Sequence, residues 1–440
     1  MSKKIIVNKF GGGILKIGLI PHIEKRLKEE MRSGYTPVCV VSALPGITDH
    51  LLYMSHGGNS AKEKKLLAAR HRETINEIIK NPDTRDACWK EVTRLLAEVT
   101  NEIDKLAGKN MSAKNEDKVV AYGEKLSAIL FTHYVRSIGY DASPILAEDI
   151  PIVTDDNFKN ANIEYKTSAK NISKKLSQSN KIIVIPGFTG TTKEGYTTTL
   201  GRGGTDTTAC FIGAALNAEK IILWKDVGGV MSADPRIVKN AKTVPFINYQ
   251  EAEEAGKIIH DKAIQYVKIH NTQIEIASLV NPKQKTVIGK EIKSKKGTKI
   301  VSYKKNLVFF IVTDEEKKET DMLAVVNQAC SKNNVDILLI SNTRYNLQIV
   351  ADNQNGKAAE VFNEIKKRIP KVTMSPVSMV FLVGNFEMQD VNEFNTLLIK
   401  QKTDMEISAF FYKNCTRLEA VIKDQNIEKI VNALHNKFIK

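Results

Sequence analysis

Three short glycine-rich strings hold most of the residues able to do chemistry. The first is Lys9-Phe10-Gly11-Gly12-Gly13, directly after the apolar run Ile5–Val7. Glycines there let backbone N–H groups close on an anion, and the lysine adds a point charge. It is not a Walker A loop, because the lysine precedes the glycines and no G-x-x-x-x-G-K-[ST] follows. The second runs from Pro186-Gly187-Phe188-Thr189-Gly190 to Thr197-Thr198-Thr199-Leu200-Gly201-Arg202-Gly203-Gly204-Thr205-Asp206. Its amides and hydroxyls can surround phosphate oxygens, and Arg202 can grip a carboxylate through two parallel hydrogen bonds. Asp206, at the start of the next helix, can orient a lysine or hold a metal-bound phosphate. The third is Trp224-Lys225-Asp226-Val227-Gly228-Gly229-Val230, running on to Asp234-Pro235-Arg236. A strand that ends in an aspartate before such a turn suits a nucleotide's ribose and phosphates. Taken singly, the first and third also fit plain turns; the density of Gly and Thr in the second does not.

The elements that must position these strings can be read from periodicity. Ile5–Val7 and Pro37–Val41 are buried strands with a helical pattern over Ile17 to Arg32 between them, the opening of a parallel sheet covered by helices. Residues 61–106 are charged and helical, with apolar positions at Leu66, Leu67, Ile75, Ile78 and Ile79, a helical layer or cap. Ile182–Ile185 and Ile221–Trp224 are further strands, each followed by glycine-rich sequence. Lys290 to Lys305 contains seven lysines and one glycine and reads as a solvated linker. Beyond it, a strand at Leu307–Val312 opens a β-α-β-β-α unit, and the same order recurs from Val377. The second unit includes expected strands at Ile407–Tyr412 and Thr416–Ile422. Such paired α+β modules have open sheet edges, which pairing with each other or with another chain would cover.

Composition narrows the class. The 440 residues are 42% hydrophobic and 26% charged, ordinary globular values that argue against disorder or a fibre. The formal charge of +15 admits an acidic partner such as a nucleotide. No apolar run approaches the ~20 residues of a membrane span, and the N-terminus lacks a secretory signal pattern, so a cytoplasmic protein is expected. The lysine run lacks interleaved aromatics for base stacking, so no nucleic-acid partner is expected. The five cysteines, Cys39, Cys88, Cys210, Cys330 and Cys415, fit neither a disulfide framework nor a zinc site, and no metal-ligand set is expected.

Together with Ser42-Ala43-Leu44-Pro45-Gly46-Ile47-Thr48-Asp49 and Gly123-Glu124, these strings resemble the aspartate kinases of the amino-acid kinase superfamily. The family pattern runs KFGGTS, V-V-S-A-x-x-G-x-T-[DN], G-E-x-x-S, T-T-L-G-R-G-G-S-D-x-[ST]-A and W-x-D-V-x-G-[VI]-x-x-x-D-P-R. Counterparts fall here in the same order, ending at Gly256-Lys257-Ile258-Ile259-His260. The resemblance implies an α/β fold with a mainly parallel sheet between helices over residues 1–292. It also implies a linker over 293–306 and two α+β ACT (ferredoxin-like) domains at 307–376 and 377–440. A fused homoserine dehydrogenase is not expected.

The implied reaction is ATP + L-aspartate giving ADP + 4-phospho-L-aspartate, the step that feeds lysine, diaminopimelate, threonine and methionine synthesis. It implies that Lys9 stabilises the transferring phosphoryl group, that Asp206 orients Lys9, and that Gly11, Gly12 and Gly13 cradle phosphate. Arg202 would grip the α-carboxylate of aspartate and Glu124 its ammonium, with Ser42, Thr48, Phe188 and Thr205 lining the pocket. Asp226, Arg236 and Lys257, with Lys225 and Met231 beside them, take nucleotide-contacting positions. Mg²⁺ would enter mainly through ATP. The sequence departs from the family at Gly13-Ile14, Lys225, Met231, Gly256 and Asp261, which predicts altered nucleotide affinity. Kinases for glutamate or carbamate, and a non-catalytic amino-acid sensor, are the competing classes; Lys9, Arg202 and Asp206 argue against the sensor. The ACT pair is expected to make a homodimer, and either to sense lysine or to serve only as its scaffold.

Overall fold

The computed structural model describes all residues except 1–3, 16–17, 59, 107–109, 148, 150–151, 177–178, 257–258, 291–295, 344, 402–404, 408–415, 424–425 and 440. The chain divides into two units, 1–230 with 243–292, and 231–242 with 293–440.

The first unit is built on an eight-stranded sheet. In spatial order its strands are Ala142–Pro144, Ile182–Pro186, Tyr35–Val41, Lys4–Phe10, Lys220–Lys225, Gln273–Ser278, Lys285–Gly289 and Phe246–Asn248. All neighbours pair in parallel except Gln273–Ser278 with Lys285–Gly289. The central strands are near-continuous apolar runs because helices cover both faces. From Lys4–Phe10 the chain moves to one side of the sheet, through Tyr35–Val41. From Lys220–Lys225 it moves to the other, through Gln273–Ser278. The crevice between Lys4–Phe10 and Lys220–Lys225, at their carboxyl ends, is where open α/β sheets bind ligands.

One face of this sheet carries a large core. Phe10, Val41 and Trp224 pack there with Leu51, Leu95, Leu126, Phe131 and Tyr134. The helical layer expected over 61–106 is two helices, Ser60–Ile78 and Pro82–Leu106. A third helix, Ala113–Ser137, is buried through most of its length. It has no polar stripe to betray it, since a helix covered all round is not amphipathic. Ser112 caps it by accepting from the Asn115 N–H at 3.3 Å. Within the core, Asn8 donates to Glu30 Oε2 at 2.7 Å and accepts from Trp224 Nε1 at 2.8 Å. Burial pushes the Glu30 carboxyl up to about 7, against the opposing bond from Asn8. This network ties the two central strands together one residue before Lys9 and Lys225.

The second unit holds a six-stranded antiparallel sheet. Its order is Ile337–Thr343, Asn346–Asp352, Gly297–Thr313, Val372–Asn385, Arg417–Lys423, Met405–Ile407. Both β-α-β-β-α units are present, with helices Glu319–Lys332, Ala358–Lys366, Met388–Lys400 and Ile427–Phe438. The expected strand at Ile407–Tyr412 lies largely outside the described residues. The linker reading needs correction, because Gly297–Thr313 is one 17-residue strand. Residues 297–304 pair with 379–385, and 307–312 pair with 372–377. Lysines conceal this strand because ladder bonds use only the backbone, and Lys stems can lie on the sheet with their heads in water. Ile300 and Val301 are buried within the lysine run, and Lys304 pairs with Asp352 at 2.8 Å.

The modules are therefore not contiguous in sequence. Val301 joins Val380, Leu382, Phe394 and Val431 in one core, while Val308 and Phe310 join Met322, Val326 and Ile365 in the other. The segment 231–242 also enters the first of these cores, through Ala233 and Val238. Ser232 Oγ lies 2.9 Å from His435 Nε2 and anchors that segment to the last helix. Cys39, Cys88, Cys210 and Cys330 are buried free thiols; Cys415 lies outside the described residues. No helix among the described residues is long and apolar enough to cross a membrane.

Candidate active site

Lys9 and Lys225 reach the crevice from neighbouring strands. Lys9 is the register partner of Leu223, and Lys225 lies two residues further on. Side chains alternate along a strand, so both lysines project from the same face, opposite Asn8 and Trp224. That face packs against the helix Gly204–Ala215, every residue of which is buried. Its first turn delivers Asp206 between the two ammonium groups. Lys9 Nζ lies 2.8 Å from Asp206 Oδ1, and Lys225 Nζ lies 3.2 Å from Oδ2. Burial alone would raise the Asp206 carboxyl, but the two lysines outweigh it and hold it below the usual carboxylate range.

Two glycines are required by this geometry. Gly203, the N-cap of the helix, has φ 73, and a side chain there would also press on His260. Gly12 lies in the short turn after Lys9, where a Cβ would collide with the Ala43 carbonyl. Gly11 stays open above the Lys9 ammonium.

A cleft of about 480 Å³ opens beside the ion-paired centre. It is lined by Lys9, Ser42, Thr48, Glu124, Phe188, Arg202, Thr205 and Asp206, so the expected catalytic and substrate-side residues all meet in it. Thr205 donates to Ser42 Oγ at 3.3 Å. Phe188 has a left-handed φ of 67, fixed by its N–H donating to Thr208 Oγ1 at 3.0 Å. Glu124 comes from the buried helix and is 3% exposed. Its Oε1 accepts a long bond of 3.4 Å from the Ala43 N–H, and its Oε2 has no partner among the described residues. Burial pushes this carboxyl up to about 8. A buried carboxyl with one oxygen unpaired in a cleft wall suits a cationic ligand, which favours its ionised form. Arg202 is exposed at the same cleft and makes no ion pair with a described acid.

The nucleotide-side expectations distribute differently. Lys225 is drawn onto Asp206. Asp226 is exposed just beyond the strand. Met231 and Arg236 fall in the segment 231–242 of the other unit and are not among the cleft residues. There Arg236 forms a two-point pair with Asp234, at 3.0 and 2.7 Å. Lys257 lies outside the described residues. Sequence reasoning missed Glu116, Asp117 and Lys159, which also line the cleft. Glu116 and Asp117 lie eight and seven residues before Glu124, two helical turns away, which was the available signal.

The family model for the amino acid kinase family matches residues 4–278, the span that carries every element of this cleft. The chain belongs to the amino acid kinase family. Its similarity to curated members extends beyond the kinase region. An aspartokinase of Rickettsia felis is 26% identical over 447 residues, covering 99% of both chains. Aspartokinase 3 of Arabidopsis thaliana chloroplasts is 28% identical, across 92% of this chain and 76% of its own. Among solved structures, E. coli aspartokinase III in complex with aspartate and ADP superposes with a TM-score of 0.82 at 21% identity. That match covers 98% of this chain and 99% of the other. The same enzyme in complex with lysine and aspartate superposes with a TM-score of 0.80. The fold likeness to the E. coli enzyme spans the residues of both units.

Proposed function

We propose that this family member is an aspartate kinase, transferring the γ-phosphoryl group of ATP to the side-chain carboxylate of L-aspartate. The observation that carries the reading is the cleft itself. It sets a buried carboxyl, Glu124, whose Oε2 has no partner among the described residues, and a guanidinium, Arg202, that pairs with no described acid, beside a buried Lys9–Asp206 pair. Glu124 takes the substrate ammonium and Arg202 its α-carboxylate, which leaves the side-chain carboxylate directed at Lys9. The acceptor is already ionised near pH 7, so no general base is needed. A carboxylate oxygen bonds to the γ-phosphorus as the bond from that phosphorus to the β-phosphate bridging oxygen breaks, leaving ADP. Lys9 stabilises the charge on the transferring group, Asp206 holds Lys9 in place, and the Gly11–Gly13 amides receive phosphate. Ser42, Thr48, Phe188 and Thr205 shape the amino-acid pocket. Mg²⁺ fits as a guest of the ATP phosphates, since Asp206 is committed to two lysines. The relatives' names and the aspartate and ADP held by the E. coli neighbour support this reading.

The product, an acyl phosphate, suits the entry to lysine, diaminopimelate, threonine and methionine synthesis in the cytoplasm. We assign the second unit to feedback by lysine and to homodimer formation through its open edge strand Ile337–Thr343, with lysine in an E. coli neighbour in support.

The test is an assay with ATP, Mg²⁺ and L-aspartate, trapping the acyl phosphate with hydroxylamine, with and without lysine. Aspartyl hydroxamate formation supports the reading, and its absence from folded, ADP-binding protein rejects it. The lysine arm decides whether the second unit is a sensor. Lys225 supplies a separate prediction. Its place on Asp206 directs it to the nucleotide phosphates, so Lys225→Thr is expected to weaken ADP binding about tenfold. L-Aspartate binding should change less than about twofold. Calorimetry checks both, and unchanged ADP affinity would remove Lys225 from the phosphate site.

A further inference from the structure

Asp117 is 1% exposed, lines the cleft and belongs to none of the strings that carry the chemistry. Its carboxylate joins two separate segments. Oδ2 accepts the Thr199 N–H at 2.9 Å and the Lys159 N–H at 2.8 Å, and Oδ1 accepts the Thr199 hydroxyl at 2.7 Å. Lys159 is held at φ 70, a left-handed conformation costly for a residue with a side chain. The same residue lines the cleft, with its ammonium 2.7 Å from Glu116.

The segments reinforce each other. The Ala161 N–H donates to the Thr199 carbonyl at 2.9 Å, and the Leu200 N–H donates to the Phe188 carbonyl at 2.8 Å. Thr199 is thus fixed through its N–H, its hydroxyl and its carbonyl. Only Leu200 and Gly201 then separate it from Arg202. Gly201 has φ 76, so the chain turns sharply there and aims Arg202 according to how Thr199 is held. A guanidinium grips a carboxylate in a planar two-point geometry that tolerates little displacement.

We propose that Asp117 is the positioning residue for substrate recognition, fixing the Thr199–Arg202 turn and the strained Lys159 so that the guanidinium meets the α-carboxylate of the amino acid. The inference rests on the reading of the cleft as an α-amino-acid site. It predicts a selective effect, because the hydrogen bonds of Asp117 go to Thr199 and Lys159, while Asp206 is held by Lys9 and Lys225.

The experiment compares Asp117→Ala, Asp117→Asn and Thr199→Val in the full-length protein. Readouts are hydroxamate kinetics and binding of L-aspartate and ADP by calorimetry. Asp117→Ala is expected to raise KM for L-aspartate about 20-fold, with kcat within about threefold and ADP affinity within about twofold. Asp117→Asn keeps an oxygen for the two N–H groups and should stay within about threefold of the parent. Thr199→Val loses one bond and should raise KM about fivefold. If the alanine variant does not fold, the other two still decide. An unchanged L-aspartate KM in Thr199→Val overturns the proposal, as does equal weakening of ADP and L-aspartate in any variant. A parent that binds ADP but neither binds nor phosphorylates L-aspartate overturns the reading of the cleft, and this inference with it. A parent active on L-aspartate with unaffected variants overturns the inference alone.

Discussion

Lys9→Ala is expected to slow aspartyl phosphate formation by about a thousandfold while L-aspartate binding stays within about threefold. Phosphoryl transfer asks little covalent chemistry of the protein; it asks for fixed positive charge where charge develops. Lys9 provides this in a partly desolvated place, 2.8 Å from Asp206, with only 13% of its side chain exposed. Lys225 cannot substitute for it. Lys225 contacts the other oxygen of Asp206, from a more exposed position on the neighbouring strand. Asp206→Asn should also slow the reaction severely, because Lys9 and Lys225 would then repel across a neutral amide. Single-turnover hydroxamate rates beside calorimetric L-aspartate binding check both variants. A Lys9→Ala rate within about tenfold of the parent would assign the phosphoryl charge to another group.

The second large effect concerns Glu124. Glu124→Gln is expected to weaken L-aspartate binding about a hundredfold at pH 8, since it removes the charge assigned to the substrate ammonium, while Glu116 and Asp206 are paired with lysines and Asp117 with Thr199 and Lys159. Its pH dependence follows from burial. With the cleft empty, the carboxyl sits at about 8. An ammonium beside it favours the ionised form and lowers that value. Below pH 8, binding therefore releases a proton, and affinity rises as pH is raised toward about 8. Calorimetry near pH 7 in buffers of different ionisation enthalpy should detect the released proton in the parent and none in Glu124→Gln. Stability carries the complementary sign. The folded-state carboxyl stands above its ordinary value of 4.5, so its contribution is full at low pH and is lost as pH rises through about 8. The melting temperature of Glu124→Gln relative to the parent should therefore climb between about pH 5 and about pH 9. A flat difference would mean that Glu124 is ionised in the empty protein.

What could be read from the sequence was local chemistry. The strings around Lys9, Arg202–Asp206 and Trp224–Gly229 name themselves, because a phosphate or carboxylate site needs glycine, hydroxyl and charge close together in the chain. The parallel strands and the two β-α-β-β-α units were legible for a similar reason: periodicity of two or 3.6 is written residue by residue. Tertiary structure decided what depends on distant neighbours. Lys225 turns to Asp206 because its strand lies in register beside Lys9. Asp117 and Glu124 reach the cleft on a helix buried through most of its length, which erased its amphipathic signature. The lysine run from Gly297 became a strand because its backbone found a partner at 379–385. Arg236 and Met231 went with the second unit because Ala233 and Val238 are buried in its core. Sequence specifies which groups are available for chemistry. Which of them face one another follows from strand register and burial, free energies shared among residues far apart in the chain, and those exist only once it has folded.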